Sequence, residues 1–360
     1  MGQPLNEPYL SNFEILSPPY SYSQDEGLER LVNLHALSEQ EDKGFRAHLV
    51  QRVARVCCKQ DKISKRHTCV DQEWLQTPRN FGDRSKYYQA FVEEVFVRFY
   101  PPSSEAPEEM IHVTCTGYNS PSAAQKIVLQ RGWEQNTQVT HAYHMGCMAA
   151  FPAIRMGLGY ASSGKKTVDI IHTELCSLHL NPALHTDDQL VAQSLFADGL
   201  IKYSLTSSIP KKPALRVLTV YEELIPETDE LMKWECAEWG LKMTLRKEIP
   251  VWISRAIVAF MGRLEQKSGL PLSKAYYAVH PGGPKIIDLI GKKLELSEEQ
   301  LATSAKILYN HGNMSSATLP HIWEDMVNDP NIPNGSYIVG LAFGPGICMS
   351  GAVLQKVSEA

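Results

Sequence analysis

Three residues in separate segments of the sequence have side chains that can act together in nucleophilic chemistry. The stretch YHMGCMAAFPAI, residues 143–154, holds Cys147 between a glycine and a run of small and apolar residues. His280 follows an apolar stretch in AYYAVHPGGPK, and the Pro-Gly-Gly-Pro after it predicts a tight turn at the end of a strand. Asn313, in HGNMSSA, carries an uncharged amide that can donate to an oxygen on which negative charge develops.

Each of these residues also has a purely structural interpretation. Cys147 fits a buried core thiol, because free cysteine is among the most buried residue types. His280 fits a lone histidine at the end of a strand, and Asn313 fits the N-cap of a helix. A thiolate requires a helix N-terminus or a nearby histidine, so the three residues together favour a Cys-His-Asn site.

The segments around Cys147 and Asn313 resemble each other. MGCMAAFPAI (145–154) and HGNMSSATLPHI (311–322) share a glycine, a polar residue, a methionine, two small residues, a proline and an isoleucine in the same order. A similarity this short also arises by chance. The alternative is two copies of one loop-to-helix unit, and if their helices face each other, Cys147 and Asn313 meet in one pocket.

The elements around these residues alternate between strand and helix patterns, which indicates an α/β fold. Helical periodicity runs through residues 27–57 and 85–100. Residues 1–30 predict an irregular arm followed by one edge strand at NFEILSPPY. Strand patterns recur at MIHVTCTGY, KTVDIIHTEL, AYYAVHPGG and YIVGLAFGPG, and helix patterns at PSAAQKIVLQRGW and PKIIDLIGKKLEL.

Composition and charge restrict the class of protein. The 360 residues are 43% hydrophobic and 21% charged, which is typical of a globular chain with one large or two medium cores. A net charge of -5 gives no electrostatic footprint for nucleic acid or an anionic membrane, and no apolar run is long enough to span a bilayer. The eight cysteines form no Cys-x-x-Cys pair and the N-terminal segment lacks a signal-peptide pattern, so we predict a cytoplasmic protein without a metal site.

The motifs around the three residues resemble those of the chalcone and stilbene synthase family, the type III polyketide synthases. The sequence has GC before a small-residue helix, HPGGP, GNMSSA and a late FGPG in that family's order, and its LVAQSLFADG (190–199) resembles the family's LVGQALFGDG. This resemblance implies the thiolase fold, a five-layered αβαβα arrangement with similar halves at residues 1–220 and 221–360. It also implies a homodimer that uses no metal and no prosthetic group.

The resemblance assigns roles to residues of this sequence. Cys147 would take an acyl group from a CoA thioester, and His280 and Asn313 would stabilise the enolate formed from malonyl-CoA and the oxyanion of acyl transfer. The reaction is then a decarboxylative Claisen condensation. The expected substrate-binding residues are Phe196, Met243, Trp234, Cys176, Leu178, His179, Ser315 and Phe343. The expected CoA-binding residues are Arg55, Lys59 and Lys62.

Some of these positions depart from the family's pattern. Met243 stands where the family has a gatekeeper phenylalanine, Trp234 where it has a cavity-lining glycine, and Ser120 where many members have a methionine that crosses the dimer interface. An indole inside the cavity predicts few extensions and a small lactone or pyrone-type product. The alternatives are that Trp234 packs in the core and that the basic residues belong to a solvated helix face.

Other activities on the same fold stay open at this point. The main alternative is a single-step 3-oxoacyl synthase that uses acyl-CoA or an acyl carrier protein, although HPGGP and GNMSSA argue against it. A thiolase needs a second catalytic cysteine, for which Cys348 in GPGICMSG is a candidate. A non-catalytic protein of this fold would not need Cys147, His280 and Asn313 together.

Overall fold

The computed structural model describes residues 8–38, 43–208 and 210–358. In these ranges no helix is both long and apolar enough to cross a membrane. The strands are β1 (Tyr9–Leu16), β2 (Tyr20–Ser23), β3 (Lys65–Thr68), β4 (Glu109–Thr114), β5 (Gln138–Tyr143), β6 (Thr167–Leu175), β7 (Asp198–Thr206), β8 (Ala214–Leu224), β9 (Met232–Ala237), β10 (Gly240–Leu245), β11 (Tyr276–Val279), β12 (Tyr337–Gly344) and β13 (Cys348–Val357). The helices are α1 (Gln24–Ser38), α2 (Lys43–Val56), α3 (Gln72–Gln76), α4 (Phe81–Phe99), α5 (Ala123–Arg131), α6 (Ala150–Ser162), α7 (Asp187–Leu195), α8 (Ile249–Ser268), α9 (Pro284–Leu294), α10 (Glu298–His311) and α11 (Thr318–Asn328), with 3₁₀ turns at Gly146–Met148, Cys176–His179 and Ser315–Ala317.

Within the described residues, nine of the strands form one mixed sheet in the order β11-β12-β13-β8-β1-β7-β6-β4-β5. The pairs β4–β5, β4–β6 and β11–β12 are parallel, and the other neighbours are antiparallel. Parallel pairs need long crossover connections, which α5, α6 and the run from α9 to α11 provide. Strands β9 and β10 form a separate two-stranded ribbon, as do β2 and β3.

The two ends of the sheet pack on a central pair of helices, and other helices cover the outer face of each end. This makes five layers and confirms the predicted αβαβα arrangement. Central helices α6 and α11 share one hydrophobic core with strands from both ends of the sheet, and Phe151 packs edge to face on Trp323 there at a centroid distance of 5.9 Å. Helices α4 and α5 cover the outer face at one end, and α8 and α9 cover it at the other. Side chains of β12 alternate accordingly, because Ile338 faces the central helices and Val339 the outer ones.

The first strand lies in the middle of the sheet, so the prediction of an edge strand was wrong. Strand β1 runs between β7 and β8, and its Leu10 pairs with both Leu205 and Leu215. Proline disfavours a central strand only where its missing N–H is needed for pairing. Pro18 and Pro19 come after the last residue of β1 and interrupt no ladder.

The two similar segments have the same local structure. In each, a glycine with positive φ is followed by a central helix: Gly146 (72°) is the first residue of its 3₁₀ turn, and Gly312 (74°) lies three residues before the other 3₁₀ turn. Pro152 and Pro320 both occupy the third position of their helices, where a missing N–H costs no intrahelical hydrogen bond. The two 3₁₀ turns contact each other, so the repeated units face one another as predicted.

The predicted halves, residues 1–220 and 221–360, are joined by a continuous strand. The boundary between them falls inside β8, which pairs with β1 on one side and with β13 on the other. The division into two halves at this position therefore stays a prediction.

Candidate active site

Cys147 is the middle residue of the 3₁₀ turn Gly146–Met148, between β5 and α6. Only glycine fits at position 146, because its φ is positive and a Cβ there would lie 2.1 Å from Cδ of Pro345. A Cβ on Gly344 would also clash with this turn. The late FGPG motif, residues 343–346, therefore supports the turn that carries the cysteine.

The thiol of Cys147 is buried, and its Sγ lies 3.8 Å from Oγ of Ser315. Burial raises the pKa of Cys147 to about 12; the contact with Ser315 lowers it in part, and the carboxyl group of Glu174 raises it. Burial likewise raises the pKa of Glu174 to about 7. The protein environment thus favours the neutral thiol, and a base has to take its proton when it attacks a substrate.

His280 follows the last residue of β11 and is held in place through its backbone. Its N–H donates to the carbonyl oxygen of Leu341 at 2.7 Å, and its own carbonyl accepts from the N–H of Gly282 at 3.0 Å. The side chain is buried, and neither ring nitrogen has a hydrogen-bond partner among the residues that the structure describes. Burial lowers the pKa of His280 to about 3, so the imidazole is neutral and becomes an effective base only when negative charge develops beside it.

Asn313 lies between α10 and the 3₁₀ turn Ser315–Ala317. Its backbone N–H donates to Leu195 at 2.9 Å, and its carbonyl accepts from the N–H of Ala197 at 2.8 Å. Its side-chain Oδ1 accepts from the N–H of Ser315 at 2.9 Å. Because a backbone N–H only donates, the amide oxygen has to face Ser315, which leaves the NH₂ group for a substrate oxygen. The side chain thus caps a local turn and not the N-terminus of a helix, and its role as a donor to substrate stays a prediction.

The three residues line one cavity of about 860 Å³. Phe196, Met243 and Phe343, which the sequence predicted to bind substrate, also line it. So do the predicted CoA-binding residues Arg55, Lys59 and Lys62, all of which are solvent-exposed. The structure thus brings together the catalytic set, part of the substrate set and the basic set.

Other predicted substrate-binding residues lie outside the lining of this cavity. Leu178 is buried in the core formed with α4 and α5, and Cys176 is also buried. His179 joins two backbone segments, since its Nε2 donates to the carbonyl of Thr116 at 2.8 Å and its Nδ1 accepts from the N–H of Leu241 at 3.0 Å. Ser315 contacts the thiol of Cys147 instead.

Trp234 is half-buried on β9 and also lies outside the cavity lining. Its indole Nε1 donates to the backbone carbonyl of Cys115, and its ring stands edge-on to His179 at a centroid distance of 5.6 Å. The indole and the imidazole thus connect the β9–β10 ribbon to residues 115 and 116, in the loop after β4. Cys348, the candidate second cysteine of a thiolase, is the first residue of β13 and does not line the cavity.

Sequence reasoning missed a second group of basic residues at the cavity mouth. Arg246 and Lys247 precede α8, and Lys285 is the second residue of α9; all three are exposed and line the cavity. They lie more than 180 residues further along the chain than Lys62, so only the tertiary structure shows that they line the same cavity. The sequence offered one indication for Lys285, which directly follows the HPGGP motif and must therefore lie close to His280. Acidic residues lie at the same mouth, and Asp187 pairs with Arg55 at 3.3 Å and with Arg52 at 2.6 Å.

No group of three or more His, Cys, Asp or Glu side chains in the described part of the chain is arranged to hold a metal ion.

Comparisons with known proteins agree with this fold and site. Residues 216–358 match the family described as chalcone and stilbene synthases, C-terminal domain. Probable polyketide synthase 1 of Dictyostelium discoideum is 30% identical over 259 residues, which are 69% of this chain but only 8% of that protein. A putative chalcone synthase of Bacillus subtilis (strain 168) is 25% identical over 308 residues, 80% of this chain and 84% of the relative.

Solved structures resemble the whole described fold. The C-terminal type III polyketide synthase domain of Steely1, a type I/III hybrid from Dictyostelium, has a TM-score of 0.86 at 22% identity and covers 98% of this chain and 99% of that one. The 1,3,6,8-tetrahydroxynaphthalene synthase of Streptomyces coelicolor A3(2) has a TM-score of 0.85 at 22% identity, with 98% and 100% covered. The expected motifs line one cavity, and residues 216–358 belong to the chalcone and stilbene synthase family through its C-terminal domain. Over most of its length the chain is similar to a putative chalcone synthase and to type III polyketide synthases.

Proposed function

We propose that the chain is an acyltransferase that loads an acyl group from a CoA thioester onto Cys147 and extends it with malonyl-CoA. The observation that carries this proposal is a single cavity that is lined by Cys147, His280 and Asn313 and also by exposed basic residues. A thioester reaching the thiol through this cavity places its phosphates among cations and its carbonyl among the three side chains.

The first step is acylation of Cys147. As the thiol attacks the thioester carbonyl, the neutral imidazole of His280 takes its proton, and the C–S bond to CoA breaks. CoA departs as the thiolate, and the proton stays on His280, which can then act as a donor in the next step. The NH₂ group of Asn313 stabilises the oxyanion of the tetrahedral intermediate, where a fixed donor in a water-poor site is most effective.

The second step forms the carbon–carbon bond. Malonyl-CoA loses carbon dioxide, and the electron pair of the broken bond becomes an enolate whose oxygen accepts from His280 and Asn313. The enolate carbon attacks the acyl carbonyl on Cys147, and the bond between that carbonyl and Sγ breaks. The products are a 3-oxoacyl-CoA and the Cys147 thiolate, which takes its proton back from His280 and is ready for another acyl group. Because these three side chains supply the nucleophile, the base and the donors, we propose no metal and no prosthetic group.

The basic residues at the mouth bind the phosphates of CoA in this proposal. Lys59 and Lys62 present exposed ammonium groups, whereas Arg55 shares its charge with Asp187. We also propose that the chain works as a homodimer in the cytoplasm, as the family resemblance implies. The eight cysteines, all free of disulfides, are consistent with a reducing compartment.

The space beyond the thiol sets the number of extensions. Trp234 and His179 pack against each other beside the carbonyl of Cys115, outside the cavity lining, so the cavity does not extend into the space that they occupy. We therefore propose few condensations and a small lactone or pyrone-type product. A single condensation alone would support the 3-oxoacyl synthase alternative.

The experiment is an incubation of the purified protein with a panel of acyl-CoA starters and malonyl-CoA, followed by mass spectrometry of the products and of the tryptic peptides. We expect one acyl group on the peptide that contains Cys147 and extended products in solution. Cys147→Ala should abolish both, and Cys236→Ala, at an exposed cysteine outside the cavity, should change neither. Acylation of another cysteine, or no extended product from any starter, would contradict the proposal.

A further inference from the structure

A buried arginine next to the active site has no role in the chemistry derived above. Arg66, on the short strand β3, is almost fully buried, with 3% of its surface exposed. Its Nε donates to Oε1 of Gln24 at 2.9 Å, and its Nη1 donates to the backbone carbonyls of Gln193 at 2.8 Å and Phe196 at 2.9 Å. Its guanidinium also lies 5.3 Å from the centre of the Tyr22 ring.

The charge of Arg66 is balanced by a helix end instead of a carboxylate. The ion pairs among the described residues do not include Arg66. The carbonyls of Gln193 and Phe196 belong to the last turn and the C-cap of α7, where the helix dipole is negative and a cation is stabilised. Arg66 therefore caps the C-terminal end of α7.

This capped helix end carries residues of the active-site wall. Phe196 lines the cavity, and the backbone on either side of it pairs with Asn313 through the N–H groups of Asn313 and Ala197. The aliphatic stem of Arg66 also packs on Gly312, where an added Cβ would lie 2.9 Å from Cγ of the arginine. One side chain thus holds the backbone of Phe196 and contacts the residue that precedes Asn313.

Gln24 extends the same link to the basic side of the mouth. While its Oε1 accepts from Arg66, its Nε2 donates to the carbonyls of Cys58 at 2.8 Å and Ser194 at 2.9 Å. Cys58 lines the cavity beside Lys59. Gln24 and Arg66 therefore tie the segment after α2 to the end of α7.

We propose that Arg66 is a positioning residue for the reaction: by capping α7 it sets the place of Asn313, and through it the direction of the amide that stabilises the enolate and the oxyanion. This inference rests on the proposed function for its kinetic consequences, but its structural consequence can be measured without any reaction. The guanidinium is needed because two donors on one planar group reach two carbonyls and the glutamine at once, which an ammonium cannot reproduce.

The test is Arg66→Lys, which keeps the charge and the aliphatic stem. We expect the kcat of condensation to fall about 10–100-fold, because a small misplacement of a catalytic group costs up to that much. KM for malonyl-CoA should change by less than about twofold, since the phosphate-binding residues are untouched. In hydrogen-exchange mass spectrometry, peptides covering 193–198 and 312–316 should exchange faster while the rest of the chain stays protected.

Arg30→Met is the matched control. Arg30, like Arg66, lies over the Tyr22 ring, with its guanidinium 5.0 Å from the ring centre. Unlike the residues of the proposed site, it does not line the active-site cavity. This variant should leave kcat and both peptides unchanged. If Arg66→Lys does not fold, Gln24→Met replaces it in the test, because this variant removes the oxygen that accepts from Nε of Arg66. We then expect a smaller fall in kcat and a smaller increase in exchange in the same two peptides.

A folded Arg66→Lys protein with wild-type kcat overturns the proposal, as does a change in KM alone or faster exchange spread evenly over the chain. If the wild-type protein makes no condensation product, the proposed function fails, and the two peptides still decide whether Arg66 holds the Asn313 segment.

Discussion

Replacing Asn313 separates its two roles, because its oxygen and its NH₂ group face different partners. In Asn313→Ala both are lost. The missing oxygen leaves the buried N–H of Ser315 without its acceptor at 2.9 Å, which costs about 1–3 kcal/mol of folding free energy. The missing donor removes one stabilising contact to the oxyanion and the enolate, which costs about 10²–10³-fold in rate.

Asn313→Asp provides the comparison that Ala alone does not. Aspartate keeps an oxygen for the N–H of Ser315 but has no donor, and its negative charge repels the developing oxyanion. We therefore expect Asn313→Asp to lose at least as much condensation rate as Asn313→Ala. If capping the turn were the only role of Asn313, Asn313→Asp would react at close to the wild-type rate.

The assay measures kcat/KM for condensation, the rate of malonyl-CoA decarboxylation and the thermal midpoint of each variant. Decarboxylation should fall together with condensation, since both pass through an enolate at the same donor. A destabilised Asn313→Ala protein that turns over at nearly the wild-type rate below its melting temperature would refute the assignment of Asn313 as an oxyanion donor.

Three further predictions follow from the site and its surroundings. Trp234→Gly should lengthen the products seen by mass spectrometry, with Trp239→Gly, in the turn between β9 and β10, as its control; unchanged products would contradict a size limit set by the indole. Cys147→Gln should lose condensation but keep some decarboxylation of malonyl-CoA, because His280 and Asn313 remain, and loss of both activities would argue against their shared role. The free energy of unfolding in urea should fall as the pH drops from 6.5 towards 4, by about 1.4 kcal/mol per pH unit for each proton that only the unfolded chain binds, and a constant value would contradict this. Glu174, with its pKa raised by burial to about 7, opposes that trend with one proton. The histidines whose pKa burial lowers to about 3 or 4 are His35, His112, His172, His179, His280, His311 and His321.

The sequence allowed the prediction of features that short motifs determine. Cys147 and Asn313 stand in two segments that each have a glycine with positive φ, a 3₁₀ turn and a central helix with proline at its third position, although the turn begins three residues later after Gly312 than after Gly146. The tight HPGGP turn correctly placed His280 at the end of a strand. These features depend on local backbone geometry, which neighbouring residues decide.

Features that depend on distant pairing could not be predicted in the same way. The position of β1 is decided by its partners β7 and β8, which lie about 200 residues further along the chain. Whether Cys176, Leu178 and His179 face the cavity depends on how the 3₁₀ turn after β6 packs against α4 and β10, which no local pattern records. The buried Arg66 reads as one more basic residue in the sequence, and only its carbonyl partners from α7 distinguish it.

The central position of β1 also bears on when the protein becomes active as it folds. Strand β1 pairs with β7 and β8, and β8 in turn pairs with β13. The sheet is therefore complete only when residues 9–16 and residues 348–357 have both paired with β8. Such pairing between distant segments is slow, because the chain loses loop entropy before the contacts form. The turn that carries Cys147 rests on Pro345, next to the last strand of that sheet. We therefore expect the surroundings of Cys147 to assemble late, so that partly folded chains carry the cysteine without the proposed active site around it.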